Sequence, residues 1–72
     1  MIEILAQIEG RHRGGGTFNA GIVLWDDKVV EAAPILIYMK HGKWTRTRVR
    51  DWCRKKGWKV SVIHELERSR NG

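Results

Sequence analysis

The chain has 72 residues, a formal net charge of +6 at pH 7 and 42% hydrophobic residues, a composition that indicates one folded domain spanning 1–72 and excludes a disordered chain. Its single cysteine, Cys53, excludes a disulfide framework, and the spacing of Cys and His excludes a zinc finger. Glu3 and Glu9 are unlike a signal peptide, and the longest uncharged apolar run, residues 32–39, is far short of the roughly 20 residues of a membrane span. We therefore expect a cytoplasmic protein without a membrane partner.

Apolar and polar residues alternate over residues 2–9, which predicts a first strand. A helix is the competing interpretation, because Glu, Leu, Ala and Gln favour helices. Residues 10–19 contain three consecutive glycines and are predicted to form a flexible Gly-rich loop. With Arg11 and Arg13 beside the glycines, this loop is either a hairpin connection or a backbone anion site. The hairpin is favoured because the Gly-Lys-Ser/Thr ending of a P-loop is absent.

Residues 20–25 and 28–33 are short apolar runs separated by Asp26 and Asp27, which predicts a β-hairpin. Each Asp side chain is expected to bond its own downstream backbone in a solvated turn. A metal site is disfavoured here because no third ligand lies nearby in the sequence.

Pro34 ends the second hairpin strand and is well suited to the first position of a helix. We therefore predict a short helix that stops at His41 and Gly42. The alternative is that residues 35–38 continue as a buried strand.

Thr45 or Thr47 is predicted to cap a second helix that runs to about Lys56 and stops at Gly57. At 100° per residue, one stripe of this helix is apolar and is expected to face the core; it comprises Val49, Trp52 and Cys53. Trp58, just after the stop, is expected to pack back against Cys53.

The segment 40–59 holds nine basic residues and one acid, a local net charge of +8, so the rest of the chain sums to −2. Arg46 and Arg48 lie at the helix N-terminus, where the helix dipole disfavours cations. This departure indicates that the charge serves something outside the fold.

Residues 58–63 alternate again and predict a final strand that ends near Glu65, followed by a frayed tail over 66–72. The predicted fold is α+β, in the order β-β-β-α-α-β. It has a small mixed sheet of three to four strands, with one short and one longer basic helix packed on one face. The path from residue 28 to 63 is long enough for a crossover, so the last strand is expected to lie parallel to a hairpin strand.

Residues 20–63 resemble a set of short uncharacterised open reading frames from phage and prophage regions of bacterial genomes. The shared pattern is an apolar strand, an acidic turn, V-x-x-A-A-P-I-L over residues 29–36, and an Arg-rich helix that closes in K-G-W at residues 56–58. The resemblance implies an origin in a mobile element and brings no known activity.

Nucleic-acid binding is the favoured hypothesis, because a strongly basic helix can neutralise phosphates and release counterions. The candidate anion-binding residues are Lys43, Trp44, Arg46, Arg48, Arg50, Arg54, Lys55 and Lys59 on or beside the helix, and Arg11 and Arg13 in the loop. An exposed Trp44 could stack on a base. The partner would be DNA or RNA.

The alternative is a protein–protein interaction module that binds an acidic host protein, such as an anti-CRISPR-like or other host-takeover inhibitor. A homodimer is possible in either case. No enzyme is predicted, because no nucleophile is placed beside a base and Cys53 lies on the apolar stripe. No cofactor and no metal site are expected.

Overall fold

The computed structural model describes residues 1–11 and 14–67. The elements in chain order are β1 (Ile2–Arg11), β2 (Thr17–Trp25), β3 (Lys28–Ala32), a 3-10 turn (Pro34–Leu36), α1 (Ile37–His41), α2 (Arg46–Lys56) and β4 (Lys59–Glu67). The four strands form one sheet in the order β3-β2-β1-β4. The predicted α+β class and the order β-β-β-α-α-β are confirmed.

The strand that β4 pairs with differs from the sequence-based expectation. β4 pairs antiparallel with β1, with Ile8 opposite Val60 and Ile4 opposite Glu65, so the sheet is antiparallel throughout. β4 runs in the same direction as β2, but the two strands are not neighbours. The loop before α2 pairs with the outer edge of β3, and β4 takes the free edge of β1. The expected mixed sheet is therefore wrong.

The first hairpin has longer strands than predicted. β1 continues to Arg11 and β2 begins at Thr17, so part of the predicted 10–19 loop belongs to the β1–β2 ladder. At the other end of the chain, β4 continues to Glu67, so residues 66 and 67 of the predicted tail belong to the sheet. The rest of that tail and Arg13 lie outside the described residues.

One face of the sheet is buried, and the helices cover it. In the β1–β2 register Ile4, Ala6 and Ile8 lie opposite Leu24, Ile22 and Ala20, and all six side chains are at most 3% exposed. They share one apolar cluster with the helix residues Leu36, Met39, Val49 and Cys53. The strand alternation therefore separates a helix side from an open side of the sheet.

In the β2–β3 turn, the Asp26 side chain bonds differently from the prediction. Asp26 and Asp27 both adopt positive φ, 48° and 69°, as a two-residue hairpin turn of right-twisted strands requires. The Asp26 Oδ1 accepts a hydrogen bond from the Ile2 backbone N–H at 3.0 Å, not from its own downstream backbone. The turn is thereby fixed to the start of β1.

The boundaries of α2 follow the predicted signals. Thr45 is the N-cap, and its Oγ1 accepts a hydrogen bond from the Arg48 backbone N–H at 3.2 Å. Gly57 ends the helix at φ 75°, and the Trp58 backbone N–H donates to the Cys53 carbonyl at 2.8 Å. The Arg46 backbone N–H donates to the Asp27 carbonyl at 2.8 Å, so α2 begins against the β2–β3 turn. The short helix after Pro34 is confirmed as the 3-10 turn and α1.

Candidate functional site on the basic helix

The solvent-facing side of α2 carries six exposed cations, which we call the basic face: Arg46, Arg48, Arg50, Arg54, Lys55 and Lys56. Asp51 is the one acid in the helix, and the first turn holds none. In residues 1–11 and 14–67, the ion pair between Lys40 and Glu31, 3.0 Å apart, is the one formed between side chains, so no described acid forms an ion pair with the basic face. These cations are therefore available to an external anion.

Three of these arginines form a ridge along one flank of α2. Arg46, Arg50 and Arg54 are four residues apart, so their side chains follow one another along the helix at intervals of about 6 Å. Arg46 and Arg50 line a groove of about 230 Å³ whose far wall is Val60 and Val62 of β4. The ridge thus borders the gap between α2 and the edge of the sheet.

The other flank of α2 lies against a cluster of three aromatic rings. The Trp44 ring is 5.4 Å from Tyr38 and 5.5 Å from Trp52 between centroids, both edge-on. The Arg48 Cζ lies 4.1 Å from the centre of the Trp44 ring, and the Lys56 Nζ lies 4.9 Å from that of Trp52. Both cations therefore cover aromatic surface as well as carrying charge.

The burial of Trp44 corrects its predicted role. Its side chain is 7% exposed, because Tyr38, Trp52 and Arg48 surround it. An incoming base has no access to the face of this ring, so Trp44 contributes to the core and to the position of Arg48.

The remaining predicted residues lie beyond the two ends of α2. Arg11 and Lys59 line a cleft with Glu9 near Gly57, at the C-terminal end of the helix. Lys43 lines a separate cleft with Lys28 and Lys40 at the other end. Since α2 is about 16 Å long, the structure brings these residues into one basic band along the helix, but not into one pocket.

The sequence prediction omitted Lys28 and Lys56 from this band. A signal for Lys56 is visible in the sequence, because Trp52 and Lys56 are four residues apart, as are Trp44 and Arg48. A cation four residues after a tryptophan can reach back over the ring. Lys28 has no comparable signal, since its position beside Lys43 depends on how the β2–β3 turn meets the loop before α2.

Two titratable groups have shifted pKa values. Cys53 lies on the buried side of α2 and is 1% exposed. This burial raises the pKa of its thiol, so the thiolate is disfavoured. The hydrogen bond from Lys40 lowers the pKa of the Glu31 carboxyl. Neither group belongs to the basic face.

The described part of the chain holds no cluster of three or more His, Cys, Asp or Glu side chains that could ligate a metal. Over the same residues, every helix is too short or too polar to cross a membrane.

No family model, curated protein or solved structure matches the chain.

Proposed function

We propose that the chain binds nucleic acid through phosphate contacts along the basic face of α2. The observation that carries this proposal is the set of six exposed cations on one 11-residue helix with no ion-pair partner among the described residues. Such a surface concentrates positive potential, and an anionic polymer that covers it releases condensed counterions.

The cations divide into two groups by their surroundings. Arg48 and Lys56 lie over tryptophan rings. Arg46, Arg50, Arg54 and Lys55 have no recorded side-chain partner, and Lys59 continues the band beyond Gly57. We therefore expect about five phosphate contacts, made by these five residues.

The expected mode of binding is electrostatic and largely independent of sequence. Stacking needs an accessible aromatic face, and the Trp44 ring beside the basic face is enclosed by Tyr38, Trp52 and Arg48. Trp25 is 44% exposed but lies at the end of β2, outside the basic face. Phosphate contacts position a protein on nucleic acid without reading bases. Affinity should therefore depend strongly on salt and weakly on base composition.

The test is fluorescence anisotropy with end-labelled duplex DNA, single-stranded DNA and duplex RNA over a series of salt concentrations. A labelled oligonucleotide is preferred to tryptophan emission, because Arg48 and Lys56 lie on the rings and could change emission without any stacking. Five contacts predict a slope of log K against log[salt] of about −4.5 on duplex DNA.

Two single-charge variants provide the matched comparison. Lys55→Gln removes an exposed cation of the basic face and should reduce the size of the slope by about 0.9. Lys40→Gln removes the same formal charge from a lysine that already pairs with Glu31, and should leave the slope nearly unchanged. Equal effects of both variants, or no binding to any probe at low salt, would overturn the proposal and favour an acidic protein partner.

A further inference from the structure

The two edges of the sheet differ in how they are protected. At the β3 edge, the Val29 backbone N–H donates to the Trp44 carbonyl at 2.9 Å, and Lys28 forms a bridge with Thr45. The loop before α2 therefore covers the β3 edge. At the opposite edge, no described segment pairs with the outer side of β4.

The unpaired strand is long and exposes apolar side chains. β4 has nine residues, and four of its apolar side chains are exposed: Val60, Val62, Ile63 and Leu66. Ile63 is the most exposed of these, at 57%. A long edge strand with free backbone groups and exposed apolar side chains is a template for pairing with another strand.

A bulge at Ile63 divides β4 into two unlike halves. Ala6 pairs with Val62 and Leu5 pairs with His64, so Ile63 is the extra residue. From the register with β1, Val60 and Val62 lie on the helix side of the sheet in the first half, and Glu65 and Glu67 lie on that side in the second half. Ser61 and Leu66 lie on the open side.

This division makes β4 complementary to itself. An antiparallel pair related by a two-fold axis aligns Val62 with Glu65 of the second copy, and Val60 with Glu67 of the second copy. Helix-side residues then meet helix-side residues, and Ser61 meets Leu66 of the second copy on the open side. The acidic half of each strand is brought beside the aliphatic half of the other.

Charge favours the same arrangement. Val60 and Val62 form the wall of the groove that Arg46 and Arg50 line from α2. In the paired strands, the two glutamates of the second copy lie along that wall, on the side that faces the arginine ridge. The ridge thus meets carboxylates that its own chain does not supply among the described residues.

We propose that the chain forms a two-fold symmetric dimer in which β4 pairs antiparallel with β4 of a second copy, giving one continuous eight-stranded sheet. The pairing uses the strand edge and does not require nucleic acid. In the dimer the glutamates of the second copy face Arg46 and Arg50, so the five phosphate contacts proposed above apply to the monomer. Arg54, Lys55 and Lys59 lie outside the groove and stay available in both states.

Sedimentation equilibrium of nuclease-treated protein at 0.15 M salt tests the dimer. The wild-type chain should show a concentration-dependent mass that rises from 8.4 kDa towards twice that value. Ile63→Lys places a charge at the pairing edge and should keep the chain monomeric. Ile35→Lys makes the same substitution at an exposed isoleucine in the 3-10 turn, 43% exposed, and should leave the dimer intact.

A cysteine pair tests the register. In a Cys53→Ala background, Ser61→Cys combined with Leu66→Cys places thiols directly opposite between copies, about 4.5–5.5 Å apart at Cα, within disulfide range. Within one strand the same positions are about 16 Å apart, too far for a disulfide within one chain. Oxidation should therefore cross-link two copies. Ser61→Cys with Ile35→Cys is the control and should cross-link poorly.

Three outcomes would overturn the inference: a monomer at all concentrations, a dimer that survives Ile63→Lys, or a dimer in which the 61/66 pair cross-links no better than the control. Circular dichroism of each variant establishes that it is folded before its mass is interpreted. Monomeric wild-type protein that still binds DNA would reject the dimer alone, whereas a dimer without DNA affinity would reject the proposed function alone.

Discussion

At the scale of single residues, the contact between Gly10 and Trp58 fixes the far end of the molecule. A Cβ built on Gly10 would overlap the Trp58 Cδ1, so the indole packs directly on the glycine backbone. Phe18, opposite Gly10 in β2, meets the Trp58 ring edge-on at 5.1 Å between centroids. The tryptophan after α2 therefore joins the helix to the first hairpin, in addition to its backbone bond to Cys53.

The Gly10→Ala substitution should destabilise the protein by about 1–3 kcal/mol, because the added methyl group must displace the indole from a packed position. The free energy of unfolding from urea titration measures this effect. Gly14→Ala is the matched control, since a Cβ there meets no atom within 4 Å, and its effect should be within about 0.5 kcal/mol of zero. Equal destabilisation by both variants would contradict the close contact at Gly10.

Residue burial was the least predictable feature of the candidate site. Trp44 and Lys43 are adjacent in a basic segment, yet Lys43 is exposed and Trp44 lies in the core. The sequence contains the charge, but burial depends on α1, since Tyr38 is one of the rings that enclose Trp44. A contact between two separate elements cannot be obtained from the periodicity of either.

At the scale of elements, the local signals for α2 are consistent with one another. A threonine cap, an apolar stripe four residues in period and a glycine in the left-handed conformation define its start, its buried side and its end. These features are local, and for that reason the helix bounds were predictable from the sequence. The partner strand of β4 was not, because it depends on how the two helices carry the chain across the sheet from β3 to the free edge of β1.

Replacement of the cap residue separates two threonines that the sequence could not distinguish. Thr45→Ala should cost about 1 kcal/mol of stability, because the Arg48 backbone N–H loses its acceptor. Thr47→Ala should cost less than about 0.5 kcal/mol, since Thr47 is exposed inside the first turn and Ala favours the helix. Thermal or urea unfolding checks both values, and a larger loss at Thr47 would place the cap two residues later.

At the scale of the whole molecule, the distribution of positive charge destabilises α2, the helix on which most of that charge lies. The net charge is +6, and the arginine ridge places like charges four residues apart on one flank of α2. Like charges at this spacing destabilise a helix by about 0.2–0.5 kcal/mol per pair. A surface that weakens its own helix fits a chain whose basic face meets an external anion.

Stability should therefore increase as salt is raised from 0.01 M to 0.3 M, because screening shortens the Debye length from about 30 Å to below 10 Å. Arg50→Gln removes both close pairs, with Arg46 and with Arg54. This variant should be more stable than the wild type at low salt and less dependent on salt. Urea midpoints at low protein concentration measure the effect, and identical salt dependence in Lys40→Gln and Arg50→Gln would contradict it.

The position of β1 in the centre of the sheet sets the order in which the chain can fold. β1 and β2 are joined by a short connection and can pair early. The other edge of β1 stays unpaired until β4 is made, because Ile2 of β1 pairs with Glu67 of β4, which lies near the other end of the sequence. Non-local pairing of this kind is slow, because the loop between the strands must close before the contact forms. A chain emerging from the ribosome can form the β1–β2–β3 meander and both helices while the β1 edge is still open. That interval gives other strands a chance to occupy the place of β4, so misassembly during synthesis should fall as β4 docks faster.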